Sequence, residues 1–264
     1  MQKYSKIDNP EIIESLFNLS AKWTRSALEY AEDLEFTTAD ETVLVCRLFL
    51  AGKTAPTVLF FHDSMESIEK YDVIGSKYVE YGINVLFTCY RGMGRNSGEP
   101  GILCMMEDAE LLLHETLHLV KQKNIEGPLF VMGKSLGSAC AIDIAYNHAD
   151  SLKGLIIESG FCDTLPFLEE VGIDISNMQL LEEDGFNNRG KIEKIKLPTL
   201  ILHGSIDTLV PPAHAEILQA TSGARTKQFH LIPGADRETM IATGGDLYFK
   251  TIKTFIDTVS GVNT

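Results

Sequence analysis

The chain has 264 residues, 44% of them hydrophobic and 23% charged, a length and balance that suit an ordinary globular fold and exclude collagen, disorder and disulfide miniproteins. Its 23 basic and 37 acidic residues give a net charge of −14, which repels nucleic-acid phosphates and anionic membrane faces, so neither is expected as a partner. Five cysteines (Cys46, Cys89, Cys104, Cys140 and Cys162) form no CxxC pair and read as reduced thiols. With a polar start over Met1–Glu14 and no apolar run of about 18 residues, the chain reads as cytoplasmic, without a membrane span. Nothing in the sequence speaks to its oligomeric state.

In chain order, an amphipathic helical extension is expected at Glu11–Tyr30, followed by strands at Leu34–Thr38 and Val43–Ala51 as an antiparallel pair. Further strands follow at Thr57–Phe61, Asn84–Tyr90, Pro128–Met132, Gly154–Glu158, Thr199–His203 and Lys227–Ile232. Helical periodicity falls between and after them, at Tyr71–Tyr81, Cys104–Lys123, Leu136–Asn147, Pro211–Thr221 and Gly245–Val259. This alternation predicts an α/β fold: an eight-stranded, mostly parallel sheet with helices on both faces. Residues 161–197 carry no strand and interrupt the rhythm, which reads as a small cap insertion within a single domain spanning 1–264. Leu165, Pro166, Phe167, Leu168, Val171 and Ile173 make that insertion too apolar for a free loop. It is expected to cover a site that takes a small, partly apolar acyl substrate or ligand.

Gly133-Lys134-Ser135-Leu136-Gly137 follows an apolar strand and opens a helix of small residues. In a G-x-S-x-G turn the serine is presented on a strained strand-to-helix junction, where side chains at the two glycine positions would strike backbone. The Leu136 N–H, at a helix start, would face a developing oxyanion. Upstream lies Phe60-Phe61-His62-Asp63-Ser64-Met65-Glu66, then Tyr90-Arg91-Gly92-Met93-Gly94, and downstream His203-Gly204-Ser205-Ile206-Asp207, continuing to Val210-Pro211.

On these motifs, in this order, the chain from about Leu34 to Val259 resembles the α/β-hydrolase superfamily. The likeness is to its serine-aminopeptidase-like and monoacylglycerol-lipase-like single-domain serine hydrolases. The resemblance implies an α/β-hydrolase fold, Ser135 as nucleophile, Asp207 as triad acid, and the N–H groups of Ser64 and Leu136 as oxyanion hole, with no metal or cofactor. It also implies a histidine after the last strand, where this chain reads Pro233-Gly234-Ala235-Asp236-Arg237.

Arg237 in the histidine position cannot act as a general base, because a guanidinium stays charged and offers no lone pair. Loss of the base can cost on the order of 10⁶ in kcat. Arg237 is expected to pair bidentately with Asp207 and keep the loop ordered. Asp63 replaces a usual glycine beside the oxyanion hole, and Cys89 replaces a usual aspartate. These departures imply a serine hydrolase of esters, thioesters or amides with impaired activity; the alternative is a catalytically silent binding or regulatory protein on the same scaffold. Among the other histidines, His62 and His203 sit at strand ends, His230 lies within a strand, and His214 is the least implausible substitute base.

Two further motifs lead elsewhere. His114-Glu115-Thr116-Leu117-His118 matches H-E-x-x-H on a helix, but no third ligand follows at the spacing a zinc protease needs. Gly92-Met93-Gly94 with Gly98 is one residue too long for a dinucleotide loop.

Overall fold

The computed structural model describes residues 3–67 and 70–262. Among these residues eight strands form one sheet: β1 (Ala31–Thr37), β2 (Val43–Phe49), β3 (Thr57–Phe61), β4 (Asn84–Phe87), β5 (Leu129–Lys134), β6 (Gly154–Glu158), β7 (Thr199–Gly204) and β8 (Lys227–Ile232). Their spatial order is β1-β2-β4-β3-β5-β6-β7-β8. β2 is antiparallel to both β1 and β4, and every other pairing is parallel.

The helices are α1 (Pro10–Leu16), α2 (Tyr71–Glu80), α3 (Ile102–Gln122), α4 (Gly137–Asn147), α5 (Thr164–Glu170), α6 (Asn188–Lys194), α7 (Pro212–Thr221) and α8 (Met240–Ser260). Because side chains alternate along a strand, the central strands feed two separate cores. Phe130 and Met132 of β5 face Tyr71 and Tyr78 of α2 and Phe255 of α8, while Leu129 and Val131 join Leu112 of α3, Ala141 of α4 and Leu218 of α7. Helices therefore cover both faces, and the predicted α/β-hydrolase architecture is the one observed.

Several boundaries differ from those expected from the sequence: β1, for one, starts at Ala31 rather than Leu34. The expected Glu11–Tyr30 helix is only α1, capped by the Asn9 side chain on the Ile12 N–H at 3.2 Å. Beyond it the chain is drawn onto the loop after β3 and onto β1: Asn18 N–H donates to the Ser64 carbonyl at 3.0 Å, and Trp23 Nε1 donates to Asp33 at 2.9 Å. β4 stops at Phe87, three residues early, as Tyr90 turns away to donate from its hydroxyl to the His62 carbonyl at 2.5 Å. The last helix begins at Met240 rather than Gly245, but its backbone breaks at Gly245, with φ 49° and ψ −131°, the residue where the periodic pattern begins.

The 161–197 insertion holds α5, α6 and a short 3-10 turn at Glu182–Asp184, with no strand. All five cysteines are free, and Cys46, Cys89, Cys140 and Cys162 are buried. Among the described residues no helix is long and apolar enough to cross a membrane.

Candidate active site

The turn after β5 has the geometry its sequence demands. Ser135 sits at φ 51°, in the left-handed region that costs a non-glycine residue energy, and its N–H donates to the Glu158 carbonyl at 3.0 Å. A Cβ on Gly133 would lie 2.3 Å from the Gly137 carbonyl oxygen, and one on Gly137 would lie 2.2 Å from the Phe61 carbonyl oxygen. Only glycine lets β3, β5 and α4 approach this closely.

Ser135 opens onto a cavity of about 230 Å³, lined also by Leu136, Asp63, Ser64, Met65, Leu209 and Arg237. Phe167 and Val171 of the insertion form part of its wall, and Ser15 and Leu16 of α1 form another. The expected covering by the insertion is thus narrower than the sequence reading has it. Leu168 and Ile173 are buried in the core, and Leu165 and Pro166 line a separate surface groove with Asp163 and Glu182. The contribution of α1 has no sequence signal, because only tertiary contact brings it there: the Ser64 hydroxyl donates to the Leu16 carbonyl.

Ser64 and Leu136 both border this cavity, and no described residue accepts from either backbone N–H. Beside them His62 is buried, its Nδ1 2.6 Å from the Asp63 carbonyl. Burial pushes its imidazole down to about 4, so it is neutral and its Nδ1–H is the donor. Asp63 itself is buried and accepts the Met65 N–H at 3.0 Å. Burial drives its carboxyl above the usual range, with the Arg237 charge opposing that shift.

Arg237 is where the structure departs most from the sequence reading. Its Nε lies 3.3 Å from Asp63 Oδ2, and its Nη1 donates to Ser135 Oγ at 3.5 Å. The expected bidentate Arg237–Asp207 pair is replaced by this Asp63 pair. One physical reason is how each carboxylate is supplied. Asp207 Oδ1 already accepts the N–H groups of Leu209 and Val210, at 3.1 and 2.9 Å, whereas the buried Asp63 has one backbone donor and needs a cation. Asp207 Oδ2 is left buried with no hydrogen bond.

The loops carrying Asp207 and Arg237 are adjacent, with the Ile206 N–H donating to the Ala235 carbonyl at 3.0 Å. Since β5 to β8 run parallel, Ser135, Asp207 and Arg237 all leave the sheet at its C-terminal edge.

Among the described residues no histidine hydrogen-bonds Ser135. His214 Nδ1 accepts the Cys162 N–H at 3.2 Å, and its Nε2 bonds Glu170 at 2.7 Å, so it serves the insertion rather than the serine. His203 Nε2 donates to the Val210 carbonyl at 2.7 Å and stands 3.8 Å from Asp207 Oδ2.

One residue under the elbow escaped the sequence reading altogether. Lys134, inside the G-x-S-x-G motif, is buried with its Nζ 3.0 Å from Glu66 and 3.6 Å from Glu158. Tyr71 and Tyr248 donate to those two carboxylates, each at 2.5 Å. Burial alone would favour a neutral amine, but Glu158 and Glu66 hold the Lys134 ammonium above its ordinary pKa. A lysine closing an apolar strand is the one signal that could have found this network.

Comparison with known proteins agrees with this architecture. Residues 52–174, just under half of the chain, match the family described as serine aminopeptidase, S33. Protein bem46 of Schizosaccharomyces pombe is 29% identical over 87% of this chain and 77% of its own length. The alpha/beta hydrolase domain-containing protein WAV2 of Arabidopsis thaliana is 29% identical over 76% of this chain and 70% of its own. Among solved structures, the Pyrococcus furiosus esterase Pf2001 shares the fold with a TM-score of 0.71 at 18% identity, covering 98% of this chain and 99% of that one.

Proposed function

We propose that this chain, which is similar to the α/β-hydrolases in its family match, its relatives and its fold, carries a serine-hydrolase site with Ser135 as nucleophile and with impaired turnover. Its substrates would be esters, thioesters or amides of small acyl groups, as the likeness to an esterase fold and the apolar cavity walls at Leu16, Phe167, Val171 and Leu209 favour. Acyl transfer would begin with Ser135 Oγ attacking the carbonyl carbon while the N–H groups of Ser64 and Leu136 receive the oxyanion.

The observation that carries the impairment is the Arg237 guanidinium, 3.5 Å from Ser135 Oγ. A guanidinium only donates, so it occupies a serine lone pair and leaves the hydroxyl proton without an acceptor. Asp207 Oδ2 accepts no hydrogen bond, and the imidazole 3.8 Å from it, His203, donates to the Val210 carbonyl instead of bridging to Ser135, so the orienting role of Asp207 is idle. Asp63 sets an acidic side chain beside the proposed oxyanion hole, with the Arg237 Nε 3.3 Å from its Oδ2.

Labelling with a fluorophosphonate, read by intact mass, tests this directly. The expected result is slow modification confined to Ser135 and absent from Ser135→Ala. Rapid, stoichiometric labelling would refute the impairment, and labelling undiminished in Ser135→Ala would refute Ser135 as nucleophile.

A further inference from the structure

We propose that Glu110, His114 and His148 form a zinc-binding site, separate from the Ser135 cavity. Glu110 and His114 are four residues apart on α3 and therefore share one helix face. His148, the residue that ends α4, brings a second imidazole to that face, and one ligand atom from each of the three residues lies within 4.8 Å of the others. The Ser135 elbow is at the opposite end of α4, some 13 residues earlier, or about 20 Å along a helix.

The set is oriented by its neighbours as well as by the backbone. Glu110 Oε2 is bonded to His148 Nε2, and Glu110 Oε1 accepts from Asn147 Nδ2 at 3.3 Å, so both carboxylate oxygens are held. The His114 ring meets His148 edge-on, with centroids 5.5 Å apart, and His114 is exposed, free to turn its ring inward onto an ion. Two imidazoles and one carboxylate are a donor set suited to zinc, with a fourth position left for water. Zinc would replace the proton between His148 and Glu110 and tie α3 to the end of α4.

The H-E-x-x-H spacing named the wrong partner for His114. His118 lies outside the converging set, whereas Glu110, one turn earlier, lies within it. This difference supplies the control.

Isothermal titration of the full chain with zinc chloride should show one equivalent bound. Affinity should fall at least about tenfold in His114→Ala and in His148→Ala and stay unchanged in His118→Ala. Zinc should also raise the melting temperature of the unmodified chain and not that of His114→Ala, whose exposed side chain is dispensable for folding. Absence of saturable binding, or equal losses in His118→Ala and His114→Ala, would overturn the proposal.

Discussion

At the scale of single residues, charge placement under and around Ser135 decides what the site can do. Lys134, Glu66 and Glu158 form a buried ionic cluster whose remaining oxygens are served by Tyr71 and Tyr248. Removing one member of such a cluster leaves opposite charges buried without a partner, which costs far more than the intact arrangement contributes. Lys134→Met should therefore lose about 3–5 kcal/mol of stability in urea denaturation. A loss below about 1 kcal/mol would show the cluster to be solvated rather than buried. Arg237 follows the same logic: it goes to the carboxylate most in need of a cation, and that need depends on neighbouring N–H groups distant in sequence. The arginine in the histidine position was legible from the chain alone, but its partner was not.

At the scale of elements, the strand-turn-helix unit around Ser135 is the part of the site most fully written into local sequence. Its two glycines are required by backbone oxygens 2.2 and 2.3 Å from where a Cβ would stand. Gly137→Ala should accordingly destabilise the fold by about 3 kcal/mol, since Phe61 contributes a backbone carbonyl that cannot rotate away. A variant that melts within a degree or so of the unmodified chain would contradict this crowding. The strands were legible for a similar local reason, as runs such as Thr57–Phe61 and Gly154–Glu158 are apolar on both faces and bounded by turn residues. Less legible was the segment after Leu16, whose helical periodicity yields to hydrogen bonds with Ser64 and Met65. Those contacts turn α1 into a wall of the cavity, a role no pattern within residues 11–30 encodes.

At the scale of the whole molecule, a parallel sheet gathers the loops after β5, β7 and β8 at one edge, so residues more than a hundred positions apart share one surface. The fold and the convergence of these loops at one edge were therefore legible together, through motifs spaced as that topology requires. On the proposed function, the same topology lets one side chain alter the chemistry while the scaffold persists: Arg237 stands in the loop after β8, beside Ser135, and Asp207 Oδ2 still accepts no hydrogen bond. On the proposed function, a missing proton acceptor limits turnover. The most direct test is p-nitrophenyl acetate hydrolysis by the Arg237→His variant beside the unmodified chain, with Ser135→Ala made in each background. A gain of at least about 10²-fold, abolished by Ser135→Ala, is expected. A folded Arg237→His protein with no gain, or an unmodified chain already turning over at ordinary enzyme rates through Ser135, would contradict it.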